Sequence, residues 1–355
     1  MGGCSITGIM DESGRRFAGD TIIRSIRNMH ERSNGLGGGF AAYGIYPERD
    51  EQYAMHLMFD THQAKRDTEA LLDQRATVHL AEPIPTRAHP AISGEPILHR
   101  YFVNIEADRG RPHLGEDDLV VELHMQINAE VEDAFVFSAG KNMGCFKGVG
   151  YPEDIGEFFR LEEYDAYIWI AHGRFPTNTT GWWGGAHPFS LLDWAIVHNG
   201  EISSYGINKR YLRNFGYECT LQTDTEVIAY MFDLLMRKHG LPLELACSAM
   251  APPFWNEIER MDEVEQAQAR AIRAVYGGAL LNGPFAVVVG STGRMIGFSD
   301  RTKLRPQVCA RSGDRLYISS EEAAIRTVCP DPDVVWHPEA GEPVLGELQA
   351  GVKVN

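Results

Sequence analysis

The chain has 355 residues, of which 44% are hydrophobic and 23% are charged, and its formal net charge is −16. This length and composition predict a globular protein with a well-buried core, while the acidic balance argues against binding to nucleic acid or to an anionic membrane surface. No apolar run approaches the roughly 18 residues that span a bilayer, and the first residues lack the basic region of a signal peptide. We therefore expect a cytoplasmic protein without a membrane segment.

The predicted elements begin with a helix. Apolar residues recur at helical spacing through residues 19–30, which predicts an amphipathic helix with Asp20 as its N-cap. Residues 81–118 are instead rich in Pro, His, Arg and Gly, which predicts surface loops or an insertion. Short apolar runs that end in turn-forming or polar residues have the length of buried strands; they lie at residues 167–171, 195–197 and 285–289.

Helices are predicted after these strands. Thr223 and Glu226 have the spacing of a capping box, followed by an apolar face that reaches about Lys238. Another helix is predicted over residues 256–275. Strands followed by helices, rather than strict alternation of the two, favour an α+β layered domain. Because the sequence has no internal repeat and no long polar linker, we predict a single domain over residues 1–355 with an insertion around 81–160.

The six cysteines lie far apart and form no C-x-x-C pair, so zinc and iron–sulfur sites are not predicted and the thiols are expected to be free. Cys4 differs from the others because it would become the first residue if Met1 to Gly3 were removed. Its α-amino group, with a pKa of about 7.7–8.0, could then accept the proton of its own thiol. Taken alone, a cysteine near a chain end is more often inert.

Three other segments carry candidate chemistry. Arg174 and Thr177 follow an apolar strand and could hold a carboxylate, although Arg174 alone would more often pair with an acid at the core edge. Asn199 and Gly200 end another strand and predict either a hairpin turn or an oxyanion hole. Asp224, in a first helical turn, could complement the helix dipole or hold an ammonium group. An amino-acid site needs both a cationic and an anionic partner.

Together, the early cysteine and the segments H-G-R-F-P-T-N-T, A-H-P-F, V-H-N-G-E and T-D-T-E-V-I resemble the class II glutamine amidotransferases. The sequences of these segments are most similar to the glutaminase domain of glutamate synthase, in the archaeal-type arrangement where that domain is a separate subunit. The similarity covers residues 4–46 and 165–328, and it includes the later segments D-R-T-K-L-R-P and S-E-E. It implies the four-layer αββα sandwich of the N-terminal-nucleophile hydrolases.

The resemblance also implies a reaction and a partner. Glutamine would be hydrolysed to glutamate and ammonia, and the ammonia would pass to a flavin-dependent glutamate synthase subunit on a separate chain, with no cofactor or metal on this one. The glutaminase subunit of N-methylglutamate synthase is an alternative. The implied site residues are Cys4 as the nucleophile, Asn199 and Gly200 as the oxyanion hole, Arg174 and Thr177 for the α-carboxylate, Asp224 for the α-ammonium, and Arg32 as a substrate-binding residue near the nucleophile.

One departure from the family pattern concerns the residues before the nucleophile. Family members usually carry the cysteine directly after the initiator methionine, whereas Gly2 and Gly3 intervene here, so a further cleavage is required to expose Cys4. Without that cleavage, the protein would be a non-catalytic glutamine-binding regulatory module. A third possibility, an acylase acting on another linear amide, is disfavoured because paired Arg174 and Asp224 suit a free amino acid that carries both charges.

Overall fold

The computed structural model describes residues 3–105, 111, 113–175 and 181–352. Its strands are β1 (Ser5–Asp11), β2 (Phe17–Ala18), β3 (Gly38–Tyr43), β4 (Tyr53–Phe59), β5 (Thr77–Pro83), β6 (Ile97–Asn104), β7 (Ala134–Lys141), β8 (Met143–Gly148), β9 (Asp165–Ala166), β10 (Ile168–Gly173), β11 (Phe189–Leu191), β12 (Trp194–Gly200), β13 (Phe285–Ser291), β14 (Arg294–Ser299), β15 (Val308–Ser312), β16 (Arg315–Ser319), β17 (Val334–Trp336) and β18 (Val344–Glu347). Its α-helices are α1 (Asp20–Arg27), α2 (His62–Arg75), α3 (Glu116–Glu130), α4 (Pro152–Phe158), α5 (Tyr205–Arg213), α6 (Asp224–Phe232), α7 (Leu243–Met250), α8 (Trp255–Ile258), α9 (Glu263–Val275) and α10 (Glu322–Arg326).

Two antiparallel sheets stack face to face at the centre of the molecule. The first has the strand order β17-β15-β16-β1-β10-β3-β8, and the second has the order β11-β12-β13-β14-β18. Side chains alternate between the two faces of a strand, and β13 shows the result. Ala286 and Val288 belong to the apolar cluster shared with the first sheet, whereas Val287 and Val289 belong to the cluster on the helical side.

Helices cover the outer face of each central sheet. Helices α1, α4 and α10 pack on the first sheet, against β1, β10, β3 and β16, and α6 packs on β11 and β12 of the second. Ile228 and Phe232 of α6 join the same buried cluster as Val287 of β13. The layers therefore run helix, sheet, sheet, helix, which confirms the predicted α+β fold of the αββα type. None of the described helices is long and apolar enough to cross a membrane.

A further antiparallel sheet, of order β5-β6-β4-β7, lies beside the second central sheet. The Ser190 hydroxyl of β11 donates a hydrogen bond to the carbonyl of Phe137 in β7, at 2.7 Å, and so joins the two sheets. Strand β6 (Ile97–Asn104) lies inside the segment that was expected to form loops. The strand was not predicted because the proline-rich and glycine-rich stretches on either side dominate the composition of this segment. The insertion around 81–160 stays a prediction.

The predicted central strands are confirmed in β10, β12 and β13, but three helix predictions need correction. The first helix begins at Asp20, with Gly19 as its N-cap, and ends at Arg27 rather than near residue 30. The predicted helix over 256–275 is two helices, α8 and α9, because Asp262 starts a new helix by accepting hydrogen bonds from two backbone N–H groups.

The third correction concerns the predicted capping box. Thr223 does cap α6, since its hydroxyl accepts a hydrogen bond from the N–H of Thr225. The Glu226 carboxylate instead accepts from the N–H groups of Thr220 and Leu221, and so fixes the preceding loop. The predicted extent is confirmed, because a π-helical turn (Asp233–Lys238) continues α6 to Lys238.

The close contact between the two central sheets generates a stability prediction. A Cβ on Gly8, in the middle of β1, would lie 2.8 Å from both the Met295 sulfur and a Val288 methyl of the facing sheet. We expect Gly8→Ala to lower the free energy of unfolding by about 1–3 kcal/mol, because overpacking a well-filled core forces side chains and backbone to shift. Urea unfolding followed by circular dichroism measures this. Gly277→Ala, at a position with no atom within 4 Å of the new Cβ, is the matched control, and equal stabilities of the two variants would refute the prediction.

Candidate active site

Cys4 lies directly before β1, and the pairing of β1 fixes its place. Strand β1 is hydrogen-bonded to β10 on one side and to β16 on the other, with Ser5 opposite Gly173. Because Gly173 is the last residue of β10, Arg174 and Phe175 emerge beside Cys4. The Cys4 Sγ accepts a hydrogen bond from the Phe175 N–H at 3.4 Å. The proposed nucleophile is therefore held at the edge where β1 begins and β10 ends.

The groups around Cys4 shift the pKa of its thiol in opposite directions. Burial raises the pKa of the Cys4 thiol above its ordinary value, because a thiolate is poorly solvated there. The Phe175 N–H and the positive charges of Arg174 and Arg305 act in the other direction, and the Asp224 carboxylate adds to the rise. The net pKa of the thiol is raised, so a base close to Sγ is needed to form the thiolate near neutral pH.

Arg32 contacts the backbone of the same residue. Its Nε and Nη2 donate to the Cys4 carbonyl oxygen at 3.4 and 3.3 Å. Its Nη1 donates to the Glu321 carboxylate at 2.9 Å. Arg32 therefore lies against the main chain of Cys4, where it can hold that residue in place. The sequence had predicted only that this arginine lies near the nucleophile and binds substrate, and the substrate contact stays a prediction.

Asn199 and Gly200 end β12, which belongs to the second central sheet. The Asn199 side chain is fully buried, yet neither its Oδ1 nor its Nδ2 has a hydrogen-bond partner within the described part of the chain. An unsatisfied buried polar group costs about 1–3 kcal/mol, so an amide kept in this state suggests that a ligand completes it. Gly200 has a φ of 150°, and a Cβ there would lie 2.0 Å from the Pro284 carbonyl oxygen. The chain leads from Gly200 toward α5, so the hairpin-turn alternative is wrong.

Arg174 is positioned by the glycine-rich segment that precedes β3. Its N–H donates to the Gly37 carbonyl at 2.9 Å, and its Nη1 donates to the Leu36 carbonyl at 3.4 Å. A Cβ on Gly37 would lie 3.1 Å from the Arg174 side chain, which shows how closely the segment packs on it. Burial lowers the pKa of the Arg174 guanidinium, and the adjacent Cys4 opposes this shift. Thr177, predicted to act with Arg174, lies outside the described residues.

Asp224 is the first residue of α6, where a carboxylate is favoured by the helix dipole. Its Oδ2 accepts from the Ile202 N–H at 2.9 Å and its Oδ1 from the Thr225 hydroxyl at 3.3 Å. Burial would raise the pKa of this carboxyl, but the nearby His198 ring and these hydrogen bonds together hold it below its ordinary value. Asp224 therefore presents a negative charge that could receive an ammonium group.

Three buried histidines in or beside the cavity lining, His172, His187 and His198, were not singled out from the sequence. The rings of His172 and His187 stack at 3.9 Å, and burial lowers the pKa of His172 to about 3 and that of His187 well below its ordinary value. The Thr225 hydroxyl lies 2.8 Å from His187 Nε2 and 3.0 Å from His198 Nδ1. All three histidines lie within the H-G-R-F, A-H-P-F and V-H-N-G-E segments that carry the family resemblance, but no role was predicted for the histidines themselves.

A single cavity of about 440 Å³ brings the predicted residues together. Its lining includes Cys4, Arg174, Asn199, Gly200 and Asp224. Arg32 reaches the cavity through the Cys4 carbonyl. Gly3 and Arg305, which were given no role from the sequence, are among the other residues that line it. The cavity thus combines a thiol, a cationic partner, an anionic partner and an unsatisfied amide, as a site for a free amino acid requires.

Comparisons with known proteins match most of the chain. The family model of class II glutamine amidotransferases matches residues 42–336. The chain is 53% identical over 353 residues to an uncharacterized protein of Archaeoglobus fulgidus, covering 99% of this chain and 93% of that protein. It is 24% identical over 340 residues to a protein of Methanothermobacter thermautotrophicus with the provisional name glutamine amidotransferase, covering 93% of this chain and 95% of that one. The family match includes Arg174, Asn199, Gly200 and Asp224 but begins after Cys4.

The burial of the thiols predicts selective chemical labelling. Cys4 is half-buried at the cavity, whereas the other five cysteines are buried in the core. We expect iodoacetamide to modify the native protein once, at Cys4, because alkylation requires an accessible thiol. Intact mass and peptide mapping measure the number and place of the labels. Cys4→Ser should take up none, and rapid labelling of a core cysteine in the folded protein would contradict this structure of the site.

Proposed function

The chain belongs to the class II glutamine amidotransferases, and on that basis we propose that it hydrolyses L-glutamine to glutamate and ammonia through a thioester on Cys4. The observation that carries this proposal is the single cavity lined by Cys4, Arg174, Asn199 and Asp224. A thiol beside both a guanidinium and a carboxylate fits a substrate that carries an α-carboxylate, an α-ammonium and a side-chain amide.

Substrate binding would use the two charged sides of the cavity. The Arg174 guanidinium, with Thr177, would bind the α-carboxylate of glutamine through charge-assisted hydrogen bonds. The Asp224 carboxylate would receive the α-ammonium, and its lowered pKa keeps it ionised at neutral pH. An acylase acting on a neutral linear amide would not need this pair of opposite charges. The side-chain amide of glutamine is then directed toward Cys4.

The first chemical step would be attack of the thiolate on the amide carbon. In a chain that begins at Cys4, the free α-amino group takes the thiol proton, and Sγ forms a bond to the carbonyl carbon. The negative charge on the carbonyl oxygen would be stabilised by the Asn199 Nδ2 and the Gly200 N–H, and one such donor contributes on the order of 3 kcal/mol. When the C–N bond breaks, the α-ammonium returns its proton to the leaving nitrogen, which departs as ammonia.

The second step would release glutamate. A water molecule gives a proton to the Cys4 amine and attacks the thioester carbon, and the same donors stabilise the second oxyanion. Collapse of this intermediate breaks the C–S bond, and the thiolate recovers a proton from the amine. Each of the two steps needs a base, and the α-amino group of Cys4 would act as that base in both.

The mechanism requires removal of the residues before Cys4. Gly3 lines the same cavity and is bonded to the Cys4 nitrogen, so the amine is an amide until that bond is cut. We propose that this cleavage occurs in the mature protein. The position of Gly3 in the cavity also favours the second candidate, a glutamine-binding regulatory module in which the bond stays intact.

The ammonia would be used by a second protein. We propose a flavin-dependent glutamate synthase-type subunit on a separate chain, which adds the ammonia to 2-oxoglutarate. The support is the resemblance of the H-G-R-F-P-T-N-T and V-H-N-G-E segments to glutamate synthase glutaminase domains. An N-methylglutamate synthase partner is the alternative within the same chemistry.

The decisive experiment combines mass and activity. Protein from its native host is analysed by intact mass and N-terminal sequencing, and ammonia release from glutamine is measured with Cys4→Ala as the control. We expect a chain that begins at Cys4 and releases ammonia, because only that form carries the free amine beside the thiol. A chain that still carries Gly3 and binds glutamine without hydrolysing it would support the regulatory module instead.

Two single variants separate binding from turnover. We expect Arg174→Ala to raise KM for glutamine by about 10- to 100-fold, since a hydrogen bond to a charged group contributes about 1.5–3 kcal/mol. Asn199→Ala should mainly lower kcat, by about 10²- to 10³-fold, because its donor acts on the transition-state oxyanion. Steady-state kinetics at saturating and limiting glutamine measure both. Asn214→Ala, on the exposed end of α5, is the control, and equal effects of both site variants on kcat and KM would contradict these roles.

A further inference from the structure

Arg305 lines the proposed glutaminase cavity but has no part in the mechanism above. It belongs to the D-R-T-K-L-R-P segment that follows β14. Its Nη1 lies 3.2 Å from the position that a Cβ would take on Gly3, and the Asn199 Oδ1 lies 3.3 Å from the same point. Arg305 is therefore next to the bond that joins Gly3 to the proposed nucleophile.

The loop that carries Arg305 is held by one buried carboxylate. Asp300 is 2% exposed, and its Oδ2 accepts from the N–H groups of Phe285 and Leu304 at 3.0 and 3.2 Å. Its Oδ1 accepts from the Thr302 N–H at 2.8 Å. These bonds fix the backbone of the loop to the start of β13, so the point at which the Arg305 side chain leaves the main chain is set by the fold.

The guanidinium of Arg305 lies in an unusual position for a surface arginine. Its Nε is buried and has no hydrogen-bond partner within the described residues, which costs free energy. Arg32 Nη2 lies 3.6 Å from the same Gly3 point. Two guanidinium groups therefore flank the residue that is bonded to the Cys4 nitrogen. In a chain cleaved after Gly3, the freed α-amino group of Cys4 would lie beside them.

We propose that Arg305 is an electrostatic positioning residue that keeps the α-amino group of Cys4 neutral near neutral pH, so that this amine can accept the thiol proton. The inference rests on the proposed glutaminase function. A positive charge nearby disfavours the ammonium form of the amine and favours the thiolate form of the sulfur, so both effects act in the same direction. An amine that is neutral before substrate arrives can accept the thiol proton at once.

We expect Arg305 to act on Cys4 when glutamine is bound, because the two other arginines near Cys4 would each be paired with a carboxylate. Arg32 is paired with Glu321, and the proposed α-carboxylate of glutamine would neutralise Arg174 on binding. Across the cavity, Asp224 would be neutralised by the α-ammonium. Among the described residues, the remaining titratable groups that line the cavity are His187 and His198 on the β11 and β12 side, Glu201 after β12, and Tyr205 at the start of α5. The charge of Arg305 remains next to Cys4 when glutamine is bound.

The test uses a chain that starts at Cys4. Deleting Gly2 and Gly3 places Cys4 directly after the initiator methionine, and mass spectrometry checks that this methionine is removed. Arg305→Met and Arg305→Lys are compared with the parent chain. The matched control is Arg301→Met on the same loop, because Arg301 stacks on Phe254 at 4.3 Å and does not line the cavity.

Two readouts are followed from pH 5 to 9, namely kcat/KM for glutamine and the rate of Cys4 alkylation by iodoacetamide. We expect Arg305→Met to move the acid limb of both profiles to higher pH by about one unit, as the loss of one nearby charge does. Activity should recover toward the parent value at high pH. Arg305→Lys should restore most of the shift, and Arg301→Met should leave both profiles unchanged.

The proposal is overturned if the Arg305→Met profiles coincide with those of the parent, or if activity falls equally at every pH, as loss of a structural or substrate contact would cause. A parent chain that hydrolyses no glutamine would refute the proposed function, while the alkylation profile would still decide the effect of Arg305 on the thiol. Thermal melting checks folding, and Arg305→Gln serves as the neutral variant if Arg305→Met unfolds.

Discussion

The pairing of β1 on both of its edges is the constraint on which the rest of the site depends. Residues near a chain end are usually poorly ordered unless a strand or helix ties them down. Here β1 lies between β10 and β16 in the first central sheet, and β1 is buried along its whole length. Cys4, one residue earlier, therefore has a fixed place although it is close to the amino terminus. A mobile thiol could not be aligned with a substrate.

The cavity lies where the two central sheets end together. Cys4 and Arg174 come from the first sheet, whereas Asn199 and Gly200 come from the second. The distance between the proposed nucleophile and the proposed oxyanion donors is therefore set by the packing of one sheet on the other. Small residues such as Gly8 permit that packing. Interior side chains are as closely packed as organic crystals, so the core gives the site its precision.

The sequence predicted the central strands well because their continuous apolar runs reflect burial on both faces. It predicted the candidate residues through short motifs, each at the end of such a strand. Contacts between distant residues were not readable. Arg32 pairs with Glu321, which is 289 positions away, and the loop of Arg305 is held by Asp300 through the N–H of Phe285. Strand β6 was missed because composition was averaged over a window that its flanking loops dominate.

The charge of the site is opposite to that of the protein as a whole. The chain carries a formal charge of −16, yet Arg32, Arg174 and Arg305 lie around Cys4. Placing several positive charges together in a partly buried site costs free energy unless negative groups pair with them. Glu321 pairs with Arg32 in the described structure, and a substrate carboxylate and a thiolate would add negative charge beside Arg174 and Arg305. The positive charges that would attract the α-carboxylate of glutamine also favour the thiolate form of Cys4. Substrate binding and activation of the thiol would therefore depend on the same arginines.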